Sequence, residues 1–288
     1  MSRPGFVLPD YILLPTNMNL KLLNKTDLES VARRLYGDPM QQGWRIRSYH
    51  RFGYYSPQTW YEAVVDRLVT PKCRWLDIGG GKSVFPHNAK LAKELAQRCT
   101  LLVGVDPSDN IYNNTVIHHA EKCMIEDFHS DNSFDLATMR MVAEHITDPK
   151  VVVAALARLV KPGGYVVIFT PNRWSVVPLM ASLIPNKLHS FFTHLLWNTV
   201  ETDVFPTFYK MNTRKRLRTL FDAGGFTEVW FKHLADCATL SSFKPTCLAE
   251  LCLWRFFNSI GSNYPENNLL GVYVRRSIDS INPVIAES

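Results

Sequence analysis

The sequence lacks the paired cysteines of a zinc-binding or redox motif. Among 288 residues there are six cysteines, and no two are separated by only two residues. Several of them stand in apolar stretches, where a free thiol behaves as a small hydrophobic group. We therefore expect reduced thiols and a cytoplasmic protein. The six are Cys73, Cys99, Cys123, Cys237, Cys247 and Cys252.

Long apolar runs are also missing. No uncharged apolar run reaches the roughly 18 residues that a membrane-spanning helix needs. Residues 1–5 do not resemble the apolar core of a signal peptide, and the sequence has no internal repeat or low-complexity tract. With 46% hydrophobic and 20% charged residues, the composition is that of an ordinary globular protein with a full core. We expect no transmembrane segment.

The charge balance is basic, at +6, but the basic residues are spread along the chain. The densest group is Arg214, Lys215 and Arg216, followed by Arg218. It is either a solvated helix face or a patch that binds anions. Histidine and acidic residues form no compact cluster in the sequence, so we expect no bound metal.

Short apolar segments alternate with helical patterns through most of the chain. This alternation predicts an α/β fold, in which a parallel sheet carries helices on both faces. The predicted strands are Arg74–Ile78, Leu101–Val105, Phe134–Met139, Tyr165–Phe169, Thr227–His233 and Leu269–Arg275. The predicted helices are Thr26–Leu35, Pro57–Leu68, His87–Arg98, Val151–Val160, Thr213–Ala223 and Cys247–Ile260.

The order of these segments predicts a single domain with additions. Residues 1–70 would form an irregular arm and a helical lid, and residues 71–172 the ligand-binding core. The alternation lapses in residues 173–212, which we predict to be a helical cap inserted over the sheet. Residues 213–288 would complete the core.

The strand Arg74–Ile78 runs into the loop Gly79-Gly80-Gly81-Lys82-Ser83, and three nucleotide-binding motifs compete for it. A Walker A loop needs another glycine five residues before Gly81, where Leu76 stands inside the strand. A dinucleotide loop needs a third glycine where the bulky Val84 stands. The remaining motif is a strand that ends in Asp/Glu-x-Gly-x-Gly-x-Gly. Asp77, Gly79 and Gly81 match its first three positions, and Ser83 stands in place of the last glycine. A tight turn without a ligand is the structural alternative.

At this loop the sequence resembles the class I S-adenosylmethionine-dependent methyltransferases, and most closely the small-molecule group that includes the ubiquinone-biosynthesis enzymes. Further motifs follow in the family's order through about residue 172. Asp106 follows the second strand, 25 residues beyond Gly81; then come Ser133-Phe134-Asp135-Leu136, Glu144-His145 and Lys161-Pro162-Gly163-Gly164.

The resemblance implies a Rossmann-like, mostly parallel seven-stranded sheet. It also implies S-adenosylmethionine as cofactor and S-adenosylhomocysteine as product. Asp106 would hold both ribose hydroxyls, because a carboxylate can accept two hydrogen bonds from a vicinal diol. The implied cofactor-binding residues are Asp77, Gly79, Gly80, Gly81, Asp106, Pro107, Met124, Ile125, Glu126 and Arg140.

Two residues near the fourth strand are candidates for catalysis. His145 is either the base that takes a proton from the acceptor or a structural histidine under the cap. Arg140 either binds an anionic group of the acceptor or pairs with Glu144. Beside the loop, Lys82 either faces the methionine carboxylate or lies in solvent.

Aromatic residues supply the remaining substrate candidates. Tyr54, Tyr55 and Trp60 would line the lid over the cofactor, or else pack in the core. Tyr209 and Lys210 are expected in the acceptor pocket. In the predicted cap, an apolar stripe either packs internally, lines an acceptor pocket or touches a membrane or a partner; it comprises Leu188, Phe191, Phe192, Leu195 and Leu196.

The pattern as a whole predicts methyl transfer to a small molecule, with oxygen as the expected acceptor atom, in secondary-metabolite, quinone or glycan biosynthesis. Methylation of nitrogen or carbon is the alternative reaction. A scaffold protein that binds S-adenosylmethionine without catalysis is the alternative class. Nucleic acid is not an expected partner, because Arg140-Met141-Val142-Ala143 replaces the Asn/Asp-Pro-Pro-aromatic motif after the fourth strand.

Overall fold

The sheet of the computed structural model has seven strands, in the order β3-β2-β1-β4-β5-β7-β6. The structure describes residues 23–131, 133–175, 205–238, 241–262 and 266–277. The strands are β1 (Arg74–Ile78), β2 (Leu101–Val105), β3 (His119–Glu121), β4 (Phe134–Arg140), β5 (Val160–Pro171), β6 (Phe226–Leu234) and β7 (Asn268–Arg275). The seven α-helices of the described residues are α1 (Lys25–Tyr36), α2 (Trp44–Phe52), α3 (Pro57–Leu68), α4 (Ala89–Arg98), α5 (Pro149–Leu159), α6 (Arg214–Ala223) and α7 (Lys244–Ser259).

Strand direction separates this sheet from a dinucleotide-binding sheet. Strands β1 to β5 pair in parallel, whereas β7 lies antiparallel between β5 and β6. The dinucleotide-binding order 3-2-1-4-5-6 has no such reversed strand. The predicted Rossmann-like, mostly parallel sheet is confirmed.

Two apolar clusters lie on the two faces of the sheet. Because side chains alternate along a strand, Trp75 of β1 packs into one cluster with α1, α3 and α4. Its neighbours Leu76 and Ile78 pack into the other cluster, with α5 and α6. The ligand-binding edge therefore stands on a core that is buried on both sides.

Local capping explains where two helices differ from their predicted starts. Helix α4 begins two residues later than predicted, because the side chain of Asn88 caps it by accepting a hydrogen bond from Leu91 N. Helix α5 begins two residues earlier, at Pro149, where Asp148 accepts from Lys150 N. In each case the capping residue was present in the sequence.

Helices α2 and α7 pack against each other beside the sheet. The predicted apolar helix at 247–260 is α7, which starts three residues earlier, and only its Cys247 and Leu251 are buried. Helix α2 was not predicted. Its Trp44, Tyr49 and Phe52 pack around a small cluster that contains Tyr54 and these α7 residues.

Two of the predicted segments fall outside the described residues. They are the irregular arm before residue 16 and the apolar stripe of the cap at 188–196. Within the described residues, no helix has the length and apolar character needed to cross a membrane.

Candidate active site

The glycine loop turns sharply at the end of β1. Gly79 and Gly81 have φ angles of +70° and +49°, a region that glycine enters without steric cost. Gly79 N donates to Val105 O of the neighbouring strand at 2.8 Å, and Ser83 N donates to Gly80 O at 3.0 Å. These bonds fix a closed turn at the carboxyl end of the sheet, where ligands of α/β proteins bind.

The glycines are needed for space as well as for backbone angle. A Cβ on Gly79 would overlap the side chain of Val142, and a Cβ on Gly80 would overlap Asp77 Oδ2. The loop backbone therefore lies directly against β1 and the segment after β4. This close approach leaves the outer side of the loop to a ligand.

Asp77 lies fully inside the protein, under the loop. Its Oδ1 accepts a hydrogen bond from Thr138 Oγ1 at 2.8 Å, while Oδ2 has no partner among the described residues. Burial raises the pKa of Asp77 to about 7, although the bond from Thr138 and the nearby charge of Arg140 lower it. A buried carboxylate oxygen without a partner favours a cationic or hydrogen-bond-donating ligand.

The raised pKa of Asp77 makes protein stability depend on pH. The folded state holds a proton on Asp77 that the unfolded state releases near pH 4, so this residue lowers stability as pH rises from about 4 to about 7. The slope is at most about 1.4 kcal/mol per pH unit. We expect urea denaturation to show a smaller loss of stability between pH 5 and pH 7.5 in Asp77→Asn than in the unsubstituted protein. Equal losses in the two proteins would contradict the buried, protonated carboxyl.

Asp106 closes β2 beside the same loop. Its Oδ2 accepts from Gly81 N at 3.0 Å and its Oδ1 accepts from Ser108 N at 2.8 Å. Each oxygen keeps a further lone pair, since a carboxylate offers about four acceptor positions. Asn114, which the sequence did not single out, also holds the loop by donating from Nδ2 to Gly81 O at 3.2 Å.

The other predicted cofactor residues flank this edge. Pro107 is exposed directly after Asp106. Beyond β3, Met124 is 49% exposed whereas Ile125 is buried, and Glu126 O accepts from the Arg158 guanidinium. An exposed apolar side chain such as Met124 is available to a flat, apolar ring. Lys82 is exposed at the outer side of the loop.

Arg140 is the last residue of β4 and stands among buried acids. Its charge lowers the pKa of Glu62 and of Glu144, against a larger rise caused by burial. Among the described residues, Arg140 forms no ion pair within 4.0 Å, and the Oε2 atom of Glu144 accepts instead from Thr170 Oγ1 at 2.8 Å. Arg140 therefore forms no direct ion pair with Glu144, although its charge acts on that carboxyl.

The sequence did not indicate Glu62 as a residue of the site, because Glu62 lies in a buried, mostly apolar turn of α3. Its carboxylate accepts from Asn88 Nδ2 at 2.7 Å and from Gln58 Nε2 at 3.0 Å. A single acid among Tyr61, Ala63 and Val64, all buried, was the signal available in the sequence. Glu62 links α3 to the segment that leads into α4.

His145 ends a short 3-10 helix, Ala143–His145, beyond β4. The chain reaches this helix through Met141, whose φ of +53° is unusual for a residue with a side chain. Nδ1 of His145 lies 3.0 Å from Pro206 O. Because a carbonyl oxygen only accepts, Nδ1 carries the proton in this arrangement, and Nε2 of the neutral ring keeps its lone pair.

The hydroxyl groups of the two tyrosines of the predicted lid have different partners. Tyr54 is buried; its hydroxyl donates to Ala235 O at 3.1 Å and accepts from Cys237 N at 2.9 Å. These contacts favour the packing alternative for Tyr54, since both sides of its hydroxyl are occupied by the backbone. Tyr55 points to α1, where its hydroxyl lies 3.4 Å from Glu29 Oε1, and Trp60 lies under Lys232 Nζ at 4.6 Å.

Tyr209 and Lys210 lie near the segment that carries His145. Tyr209 N donates to Glu144 O at 3.1 Å, and Lys210 Nζ donates to Thr147 O at 2.7 Å. Both residues line a cavity of about 560 Å³ beyond β5. The structure thus brings both predicted residues to one cavity, next to the segment that carries His145.

A reversed β7 in a seven-stranded sheet, a glycine loop after β1 and an acid after β2 together define a class I methyltransferase. The family model described as "Methyltransferase domain" matches residues 44–230, more than half of the chain. The chain therefore belongs to the methyltransferase-domain family, and S-adenosylmethionine is the cofactor of this class.

Two curated relatives and one solved structure illustrate what this chain is similar to. The chain is 30% identical over 118 residues to the ubiquinone biosynthesis O-methyltransferase of Saccharophagus degradans, covering 38% of this chain and 48% of the relative. It is 31% identical over 134 residues to the enzyme of that name from Thiobacillus denitrificans, covering 40% and 55%. The chain spans about half the length of the curated relatives it matches. Magnesium protoporphyrin IX methyltransferase from Synechocystis, solved with S-adenosylhomocysteine, superposes with a TM-score of 0.47 at 14% identity, covering 86% of this chain and 93% of that chain.

Proposed function

We propose that this protein transfers the methyl group of S-adenosylmethionine to a hydroxyl oxygen of a small-molecule acceptor. One observation carries the donor half of the proposal. A loop with no room for a Cβ at Gly79 or Gly80 lies between Asp77 and Asp106, and Asp77 has an oxygen without a partner among the described residues. This arrangement fits a ligand that has both a diol and a cationic amine.

Different residues around the loop would contact different parts of S-adenosylmethionine. Asp106 would accept hydrogen bonds from both ribose hydroxyls on the lone pairs that its two backbone partners leave free. The free Oδ2 of Asp77 would face the α-ammonium group, whose charge favours the ionised carboxylate. Met124, Ile125 and Glu126 would flank the adenine, with the exposed Met124 side chain against the ring.

When bound, S-adenosylmethionine supplies a methyl group on a sulfonium, which is already a good leaving group. The protein has to align the acceptor and remove its proton. We assign the second task to His145. The carbonyl of Pro206 fixes the Nδ1 proton and leaves Nε2 to take the proton of the hydroxyl. Arg140 would hold positive charge near the reacting groups.

The chemistry of His145 and the names of the relatives support the proposed acceptor class. A hydroxyl gains nucleophilicity when a base removes its proton. The curated relatives in ubiquinone biosynthesis are named as O-methyltransferases. We therefore place the reaction in quinone, glycan or secondary-metabolite biosynthesis.

A methyl-transfer assay tests this assignment. The protein is incubated with S-adenosylmethionine labelled in the methyl group and with metabolite fractions from its source, supplemented with catechols and primary amines. We expect the label in a methyl ether, identified by mass spectrometry. Label confined to amines or to carbon would replace the oxygen assignment, and donor binding without any transfer would contradict the enzyme.

Replacing His145 by glutamine should lower kcat by roughly 100-fold or more, because general bases typically contribute 10²–10⁴. S-adenosylhomocysteine affinity should stay unchanged, since His145 lies on the acceptor side. His129→Gln is the matched control: His129 is exposed and contacts Arg158 instead. A full loss of donor affinity in His145→Gln, or equal kcat in the two variants, would make His145 structural.

A further inference from the structure

The cavity beyond β5 has a basic wall that the proposed reaction does not use. Its volume is about 560 Å³, and of the eight described residues that line it four are cationic and none is acidic. The cationic residues are Arg173, Lys210, Lys215 and Arg216; the others are Trp174, Tyr209, Asn212 and Thr213. A concave surface with charge of one sign concentrates ligands of the opposite sign.

Most of these cations have no acidic partner. Among the described residues, Arg173, Lys215 and Arg216 form no ion pair within 4.0 Å, and Arg173 lies over the Trp174 ring at 5.8 Å. Their neighbour Arg214, which is not part of the wall, is neutralised by Glu228 at 2.7 Å. Three cations of the cavity wall are therefore without an acidic partner among the described residues.

The start of α6 adds to this positive field. Thr213 caps the helix by accepting from Arg216 N at 3.2 Å, and Thr213 itself lines the cavity. The amino-terminal end of a ten-residue helix carries partial positive charge. Backbone and side chains thus favour the same kind of ligand.

A buried polar atom in the wall is also left without a partner. Asn212 is 1% exposed, and its Nδ2 donates to Thr170 Oγ1 at 2.6 Å and to Pro171 O at 3.1 Å. Its Oδ1 has no hydrogen-bond partner among the described residues. Buried polar groups are nearly always satisfied, so this oxygen marks a place for a donor group of a ligand.

The cavity is joined to the catalytic segment through the same residues. Thr170, which accepts from Asn212, donates to Glu144, the residue directly before His145. Tyr209 of the cavity wall donates its backbone N–H to Glu144 O. A molecule held by the basic wall therefore lies against the segment that presents His145.

We propose that this cavity binds the anionic group of the acceptor, so that the substrate is a hydroxylated molecule bearing a carboxylate or a phosphate. This assignment rests on the proposed function, because it names the substrate class of the same site. Arg173, Lys215 and Arg216 hold the anion, and a neighbouring hydroxyl or N–H donates to Asn212 Oδ1. An exposed basic helix face without a ligand is the competing explanation.

The two explanations predict different effects on anion binding when single positive charges of α6 are removed. Lys215 and Arg216 line the cavity, whereas Arg218 of the same helix is exposed away from it. Lys215→Gln, Arg216→Gln and Arg218→Gln each remove one positive charge from an exposed position, so the fold should tolerate all three. Only the first two remove charge from the cavity.

Calorimetric titration of phenyl phosphate and of benzoate, each into protein saturated with S-adenosylhomocysteine, tests the proposal. We expect saturable binding of at least one anion, and the tighter of the two distinguishes phosphate from carboxylate. Affinity should fall roughly 10-fold or more in the Lys215→Gln/Arg216→Gln protein and stay unchanged in Arg218→Gln. Benzyl alcohol, which is neutral, should not bind.

Three results separate this inference from the proposed function. Absence of saturable binding by either anion, with S-adenosylhomocysteine still bound, overturns the anion site alone. Equal weakening in the cavity variant and in Arg218→Gln also overturns it, in favour of a basic helix face. Failure of S-adenosylhomocysteine to bind overturns the proposed function, while cavity-dependent anion binding under that condition still supports the site.

Discussion

Replacing Asp106 by alanine should weaken S-adenosylhomocysteine binding about 100-fold or more. The substitution removes the acceptors for two ribose hydroxyls, and hydrogen bonds to a charged group contribute about 1.5–3 kcal/mol each. It also releases Gly81 N and Ser108 N, which Asp106 holds at 3.0 and 2.8 Å. Calorimetry of the variant against the unsubstituted protein measures the loss.

Asp109→Ala is the matched control for this experiment. Asp109 follows Asp106 closely, and its exposed carboxylate pairs with Lys122 on the surface at 2.6 Å. Exposed pairs of this kind contribute little, so donor affinity should not change. Similar affinities for the Asp106 and Asp109 variants would remove Asp106 from the cofactor site.

Gly79→Ala should destabilise the protein and abolish donor binding. The alanine has to adopt a φ near +70°, which costs about 1–2 kcal/mol, and its Cβ overlaps the Val142 side chain. Overpacking of this kind adds about 1–3 kcal/mol. Relief of the overlap has to move the loop or the segment after β4, so the donor site deforms.

Gly53→Ala separates the two costs. Gly53 has a similar φ of +67°, but an added Cβ there meets nothing within 4 Å. Urea denaturation should show the smaller loss for Gly53→Ala, together with unchanged S-adenosylhomocysteine binding. If both variants lose equal stability and both bind the donor, the loop is not packed as described.

The sequence predicted the central strands well because their signals are local. Strands β1 and β2 are short apolar runs that stop at a glycine or an acid, and the structure has both with the predicted bounds. Strand β3, His119–Glu121, was missed because it is three residues long and carries no apolar run. It exists because its backbone extends the edge of β2.

Helix α2 shows the same limit for helices. It carries Arg45, Arg47 and Arg51, and at its start charged and apolar residues alternate in the sequence. Its position depends on contacts with α7, about 200 residues further along the chain. Such a contact has no signature within the segment itself.

In the candidate site too, residues with a local sequence signal could be predicted and residues placed by distant contacts could not. Asp77, Gly79 and Asp106 follow from spacing within one βαβ unit, so the sequence could place them at one edge. Tyr54 was assigned to the lid because aromatic residues that pack in a core and aromatic residues that cover a ligand look alike in sequence. Its partner, Cys237, lies 183 residues away.

The basic cavity could not be predicted from the sequence, because its residues come together only in the folded chain. The sequence left open whether the cluster around Lys215 is a helix face or an anion-binding patch. The structure splits this cluster between the cavity wall, the pair of Arg214 with Glu228, and the exposed Arg218. The wall also contains Arg173, which follows β5 and lies 42 residues before Lys215 in the sequence.

Titration of the full chain with S-adenosylmethionine and with S-adenosylhomocysteine in a calorimeter tests the central claim most directly. The account predicts saturable binding of both at one site per chain, with the product displacing the donor. Absence of binding by either compound, in protein that unfolds cooperatively and is therefore folded at the start, would contradict it.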